Sequence, residues 1–126
     1  MSSNGAAMPF LAKLITTSLA VIIVSWFLPG VAIENALTAI ILSIVLAILN
    51  IFVKPILIFL TLPITLITLG LFLIVVNALI ILIAAEIVPG FSIDGFWWAV
   101  LFSLILSFVT AVLETLQQSI SGDKED

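Results

Sequence analysis

The side chains able to do chemistry in this chain are few and widely spaced. Lys13, Lys54 and Lys124 are its only cations, set against seven acids, and it contains no His, Cys or Tyr. Without them there is no thiol nucleophile, no disulfide, no side chain titrating near neutral pH and no ordinary zinc donor set. No acid stands beside a base or a second metal-ligand partner, so no catalytic, cofactor-binding or metal site is expected and the protein is read as a non-enzyme. What remains are hydroxyls and amides in helical register. Thr61, Thr65 and Thr68 fall at i, i+4 and i+7, while Gly70, Asn77 and Ala84 recur every seven. Ala39, Ser43, Ala47 and Asn50 share one helical face, as do Ala99, Ser103, Ser107 and Thr110. Groups of this kind hold helices together or line a wet path; they do not break bonds.

The elements that carry them follow from composition. Of 126 residues 64% are hydrophobic and 8% charged, with a mean hydropathy of +1.53, whereas a soluble domain carries about 25% charge. Ten charged side chains cannot cover a globule of this size in water, so the solvent is a bilayer. A net charge of −4 without Arg supplies no basic patch for nucleic acid. The charges divide the chain into uncharged runs of 20 (Lys13 to Glu34), 19 (Glu34 to Lys54), 31 (Lys54 to Glu86) and 19 residues (Asp94 to Glu114). A helix needs about 20 apolar residues to cross ~30 Å. Each run thus holds one span, giving an all-α membrane domain over 1–126 with helices at about 11–28, 35–53, 63–85 and 95–117, a segment 51–62 between the halves, and a polar tail 118–126.

In four spans, all three lysines fall on one side and Glu34, Glu86 and Asp94 on the other. The bias of cations toward the cytoplasm places both termini inside in a multi-pass membrane protein, with Trp26, Trp97 and Trp98 at the outer interface. A competing reading takes Lys13, the apolar run 14–28 and Gly30-Val31-Ala32 as a secretory signal with its cleavage site. Against it, the same Pro-Gly turn recurs within the chain.

That recurrence is an internal repeat. Offset by 60, Pro29-Gly30-Val31-Ala32-Ile33-Glu34 overlies Pro89-Gly90-Phe91-Ser92-Ile93-Asp94. Pro fixes its own φ and Gly accepts a positive one, so each turn ends a helix, and Asn35 or Asp94 can cap the next. The same offset superposes the two small-residue faces, where close backbone approach supplies the packing that water cannot drive in lipid. The pattern predicts two repeated helical hairpins related by a pseudo-two-fold axis along the membrane normal. Ala39, Ser43, Ala47, Asn50, Ala99, Ser103, Ser107, Gly70 and Asn77 are its candidate packing residues.

The departure from symmetry is 51–62. Apolar and bounded by Pro55 and Pro63, it is an interfacial piece, a re-entrant piece, or the kinked start of the third span. Beyond it, the hydroxyls of Thr61, Thr65 and Thr68 either bond back to carbonyls freed by Pro63 or, with Asn77, form a polar path. Lys54 reads as a cation snorkelling to an interface, with a buried functional cation as the alternative. Glu114 reads as an interface residue, and no acid is placed at mid-membrane, which weighs against ion-coupled transport.

Asn50-x-x-x-Lys54-Pro55, Leu60-Thr61-Leu62-Pro63-Ile64-Thr65, Thr68-Leu69-Gly70-Leu71-Phe72, Asn77-Ala78 and Pro89-Gly90-Phe91 together resemble phage holin family 4, the mycobacteriophage-holin-like or YvlD-like small bacterial membrane proteins of superfamily IV, over about residues 11–116. The resemblance implies a four-span, multi-pass protein of the bacterial cytoplasmic (inner) membrane and brings no catalytic or ligand residues. Holins typically end in a basic cytoplasmic tail; this chain ends Gly122-Asp123-Lys124-Glu125-Asp126, a departure that argues against lysis. Three functions stay open at this point. One is a packing component that associates with itself or with a membrane-protein partner. The others are a holin-like or channel-like pore, and a small transporter or flippase.

Overall fold

The computed structural model describes the backbone of residues 2–125 and the side chains of residues 9–120. Five helices and two short strands follow one another as α1 (Ser2–Phe27), β1 (Val31–Ile33), α2 (Ala36–Leu60), α3 (Leu62–Ile67), α4 (Phe72–Ile87), β2 (Phe91–Ile93) and α5 (Phe96–Glu125). Over Pro9–Phe27, Ala36–Leu60 and Phe96–Ile120 the helices are long and apolar enough to cross a bilayer, and α4 is a shorter apolar helix.

The long helices form a ring in which α1 packs on α2, α2 on α4, α4 on α5, and α5 on α1. Its tightest layer is built from small and branched residues: Ala20, Val21, Val24, Ala39, Leu42, Val76, Ala78, Ala84, Ala99 and Phe102 are all fully buried. Lipid is as apolar as these side chains, so their value lies in close packing, and the five alanines let the helix backbones approach.

Both Pro-Gly turns lead into the strands, a feature outside the sequence reading. Val31 pairs with Ile93, Ala32 with Ser92 and Ile33 with Phe91, antiparallel. The backbone N–H of Glu34 donates to the Gly90 carbonyl and that of Asp94 to the Gly30 carbonyl, both at 2.9 Å. The two glycines are needed for different reasons. Gly90 has φ +88°; Gly30 lies outside the positive-φ region but against Trp98, where a Cβ would stand 2.2 Å from the indole. Asn35 caps α2, its Oδ1 accepting from the Thr38 N–H at 2.9 Å. Asp94 makes no side-chain cap among the described residues, and Gly95, at φ +123°, occupies the entry to α5 instead.

The boundaries differ most around 51–71. The expected second span, 35–53, continues through Pro55 to Leu60, so 51–60 is not a separate piece but the end of α2. A helix tolerates Pro55 by giving up one backbone bond. The break falls at Thr61, just before Pro63, which sits in the first turn of α3 where its missing N–H costs nothing. The expected third span, 63–85, is therefore split: α3, then Thr68–Leu71, then α4. Gly70 N–H donates to the Thr65 carbonyl at 2.8 Å and Leu69 N–H to Leu66 at 3.2 Å, a Schellman ending with Leu69 in the left-handed region at φ +58°. Gly70, read from the sequence as a helix contact, is thus a turn residue at φ +89° with open space around its Cα. The fourth expected span, 95–117, extends through 118–125; the side chains of the tail beyond Ile120, Lys124 included, lie outside the described residues.

Candidate functional site

The two small-residue faces do not keep one role along their length. Toward the Glu34/Asp94 end they are packed shut: Ala39 and Ala99 are 0% exposed, Ser43 1% and Ser103 6%. One to two turns further on, Asn50 and Ser107 are exposed and Ala47 and Thr110 half-buried. The faces diverge there, and the space between them is an open polar vestibule.

Two adjoining cavities make it up. One, of about 310 Å³, lies between α1, α2 and α5 and is lined by Lys13, Thr17, Ser43, Ala47, Asn50, Ser107, Thr110 and Glu114 among others. The second, of about 120 Å³, lies between α2, α4 and α5 and is lined by Asn50, Lys54, Asn77, Ser103 and Ser107 with Leu46, Ile80, Ile81 and Leu106. They share Leu46, Asn50, Leu106 and Ser107. Thr17 and Asn77, 60 residues apart, occupy opposite cavities. The offset that matched the faces would have found Thr17 too, had it been carried back into α1.

Depth follows from helix rise. At ~1.5 Å per residue, Ser107 lies about 16 Å from the start of α5 and Asn77 about 15 Å from the end of α4, near the middle of a ~30 Å hydrocarbon layer. On the same scale Asn50 is about 21 Å and Lys54 about 27 Å from the start of α2. The vestibule therefore opens at the Lys13/Lys54 end and reaches roughly half-way across. It stops at the layer of Leu42 and Phe102, both 0% exposed, with Phe102 backed by Phe91 at a ring separation of 5.6 Å.

Its electrostatics are uneven. At the wide mouth Lys13 and Glu114 pair at 3.4 Å, and Thr16 donates to Gln117 Oε1 at 3.3 Å, tying α1 to α5. Deeper, Ser18 donates to Ser43 at 3.0 Å and Ser43 to the Ile40 carbonyl at 2.7 Å. No buried side-chain polar atom among the described residues lacks a partner. Asn50, Asn77, Ser107 and Lys54 make no side-chain hydrogen bond or ion pair among the described residues, and they are the groups the open space exposes. An unmet polar group in hydrocarbon costs several kcal/mol, so these groups require water or a ligand.

The structure separates Asn77 from the threonines. Thr61 donates to the Leu57 carbonyl at 2.8 Å and Thr68 to Ile64 at 2.9 Å, Thr65 lies 3.5 Å from Thr61, and Thr68 accepts from the Phe72 N–H at 3.2 Å. They stitch the break between α2 and α4, while Asn77 faces the vestibule with Asn50 and Lys54. Of the packing candidates, Ala39, Ser43, Ala99 and Ser103 are buried inside the single chain; Ala47, Asn50, Ser107 and Asn77 line the cavities. Trp26 and Trp97 are 74% and 76% exposed at the opposite end, and Trp98 rests on Gly30. Among the described residues no His, Cys, Asp or Glu cluster could hold a metal ion.

No curated protein and no solved structure matches the chain. The family model described as mycobacterial 4 TMS phage holin, superfamily IV, matches residues 8–112, from the first turns of α1 through both Pro-Gly turns to the vestibule wall of α5. The chain is a small membrane protein belonging to that holin family.

Proposed function

We propose that this protein provides a gated polar path across the membrane, entered through the vestibule at the Lys13/Lys54 end and closed by the Leu42/Phe102 layer. The observation that carries the reading is the set of unpartnered polar side chains, Asn50, Asn77, Ser107 and Lys54, gathered in one open cavity that runs from the lysine end to about half-way through the bilayer. Apolar constrictions of this kind close a path by dewetting. The chemistry is passage or binding of a small polar solute, without bond-breaking.

Four crossings belong to this reading. α4 alone rises about 24 Å, and α3 with its Schellman turn supplies the remainder as a broken third span. The paired hydrogen bonds of Glu34 with Gly90 and Asp94 with Gly30 support two repeated hairpins about an axis along the membrane normal. The side-by-side ends of α1 and α5, bridged by Lys13–Glu114, support both termini on one side, the cytoplasmic one for an inner-membrane protein by its lysines.

In liposomes loaded with a salt-sensitive dye, Phe102→Ala is expected to raise ion flux at least tenfold over the unaltered protein, and Phe102→Leu to stay near it. No flux with either, in protein shown to be folded, would overturn the path.

Association between copies is a second reading with its own observation. Ala39, Ser43, Ala99 and Ser103 are used within one chain, but Phe59, Ile67 and Leu69 at the α2–α4 break are 74%, 81% and 93% exposed. Oxidative crosslinking of Leu69→Cys in membranes is expected to yield dimers; monomer alone would exclude this contact.

A further inference from the structure

The vestibule is electrically lopsided. Two of its lining residues, Lys13 and Glu114, are opposite charges 3.4 Å apart that cancel at the wide mouth. The second cavity, lined from α2, α4 and α5, has a single ionisable side chain, Lys54. Around it stand amides and hydroxyls, Asn50, Asn77, Ser103 and Ser107, able to donate to an anion. The remaining described acids, Glu34, Glu86 and Asp94, belong to the turns and helix end beyond the Leu42/Phe102 layer. Lys54 and Glu114 stand at the same height, each about 27 Å along its helix, but Glu114 is answered by Lys13, whereas Lys54 has no counter-charge among the residues lining the α2–α4–α5 cavity. That cavity is therefore held at a positive potential from its lysine end, and low-dielectric walls strengthen the field of one charge there.

We propose that Lys54 makes the α2–α4–α5 cavity a site for small anions, so that the path passes or holds chloride- or phosphate-sized anions in preference to cations. This rests on the proposed path for its consequence in flux, but the site itself can be tested without any flux. The chain has no Cys, so a single Ser107→Cys reports on the cavity alone. In phosphatidylcholine vesicles, its rates of modification by an anionic and by a cationic methanethiosulfonate reagent of similar size are compared.

With Lys54 present, the anionic-to-cationic rate ratio, normalised to the same reagents on a free thiol, is expected to be on the order of ten. It is expected to fall to about one in Lys54→Gln and to invert in Lys54→Glu. A Lys13→Gln background, which unbalances the neighbouring cavity without touching the α2–α4–α5 cavity, is expected to keep most of the preference. Equal ratios with and without Lys54 would overturn the anion site while leaving the wet path standing. No modification of Ser107→Cys by either reagent would overturn the path itself. Adding phosphatidylglycerol supplies the second source of anion: a preference lost only then means that a lipid headgroup phosphate occupies Lys54, which overturns a small solute as the ligand.

Discussion

Gly30→Ala isolates one close contact that holds the two Pro-Gly turns together. An ideal Cβ at Gly30 would meet the Trp98 indole at 2.2, 2.3 and 2.4 Å, where ordinary contact begins at 3.4 Å. The indole must retreat by about 1.2 Å, which in a packed layer costs ~1–3 kcal/mol. Trp98 is only half-buried, so part of that strain escapes toward the interface and about 2 kcal/mol is a fair figure. Gly30 does not need a positive φ, so Ala also trims the unfolded chain's freedom and returns ~0.4–1 kcal/mol. The net expectation is destabilisation by about 1–1.5 kcal/mol. With Trp98→Ala already in place the clash is gone, and Gly30→Ala should be neutral or stabilising. The assay is reversible unfolding in mixed micelles across this double-mutant cycle, with Gly90→Ala as a control strained by its own φ of +88°. A cost for Gly30→Ala equal in both backgrounds, to within ~0.5 kcal/mol, would refute the reasoning.

Further outcomes follow from the same packing. Asn35→Ala removes the cap bond to Thr38 and should cost ~1 kcal/mol in the same unfolding assay. Leu69→Gly relieves a left-handed Leu at φ +58° and should stabilise by up to ~1 kcal/mol, whereas Gly70→Ala should destabilise. Ser43→Leu with Ser103→Leu forces bulk into sites 1% and 6% exposed, so the folded monomer itself should be lost on size analysis, rather than an association between copies. A cycle of Ser18→Ala and Ser43→Ala should show a coupling of about 0.6 kcal/mol, typical of one interhelical hydroxyl pair in a membrane.

Much of the architecture is legible in the residues because each signal has a local physical cause. The Pro-Gly turns, the Asn35 cap and the sorting of charges by end are all fixed by one or two side chains. The break before Pro63 was equally readable, since a proline there removes a bond within the preceding helix. Its exact form was not: Pro55 and Pro63 look alike in sequence, and α2 absorbs one while ending at the other. The Schellman turn was hidden because it places Leu69 rather than a glycine in the left-handed position, leaving Gly70 to pass as a packing residue. The strands escaped notice because three-residue segments carry no periodicity. For the site, the offset of 60 located the faces that line the vestibule but not where packing gives way to open space. That transition depends on Leu42 and Phe102 filling one layer and on Leu46 and Leu106 failing to fill the next, which is a property of four helices at once.

In the proposed path, water reaches the middle of the bundle from the lysine end. The direct measurement is a scan of single cysteines at Ala39, Ala47, Asn50, Ser107 and Ala99, with lipid-facing Ile44→Cys as a control, modified by a membrane-impermeant thiol reagent in vesicles of each orientation. Rapid modification is expected at 50, 107 and 47 from the lysine side alone, and almost none at 39, 99 or 44 from either side. Residues 50 and 107 reacting no faster than 44 would contradict it.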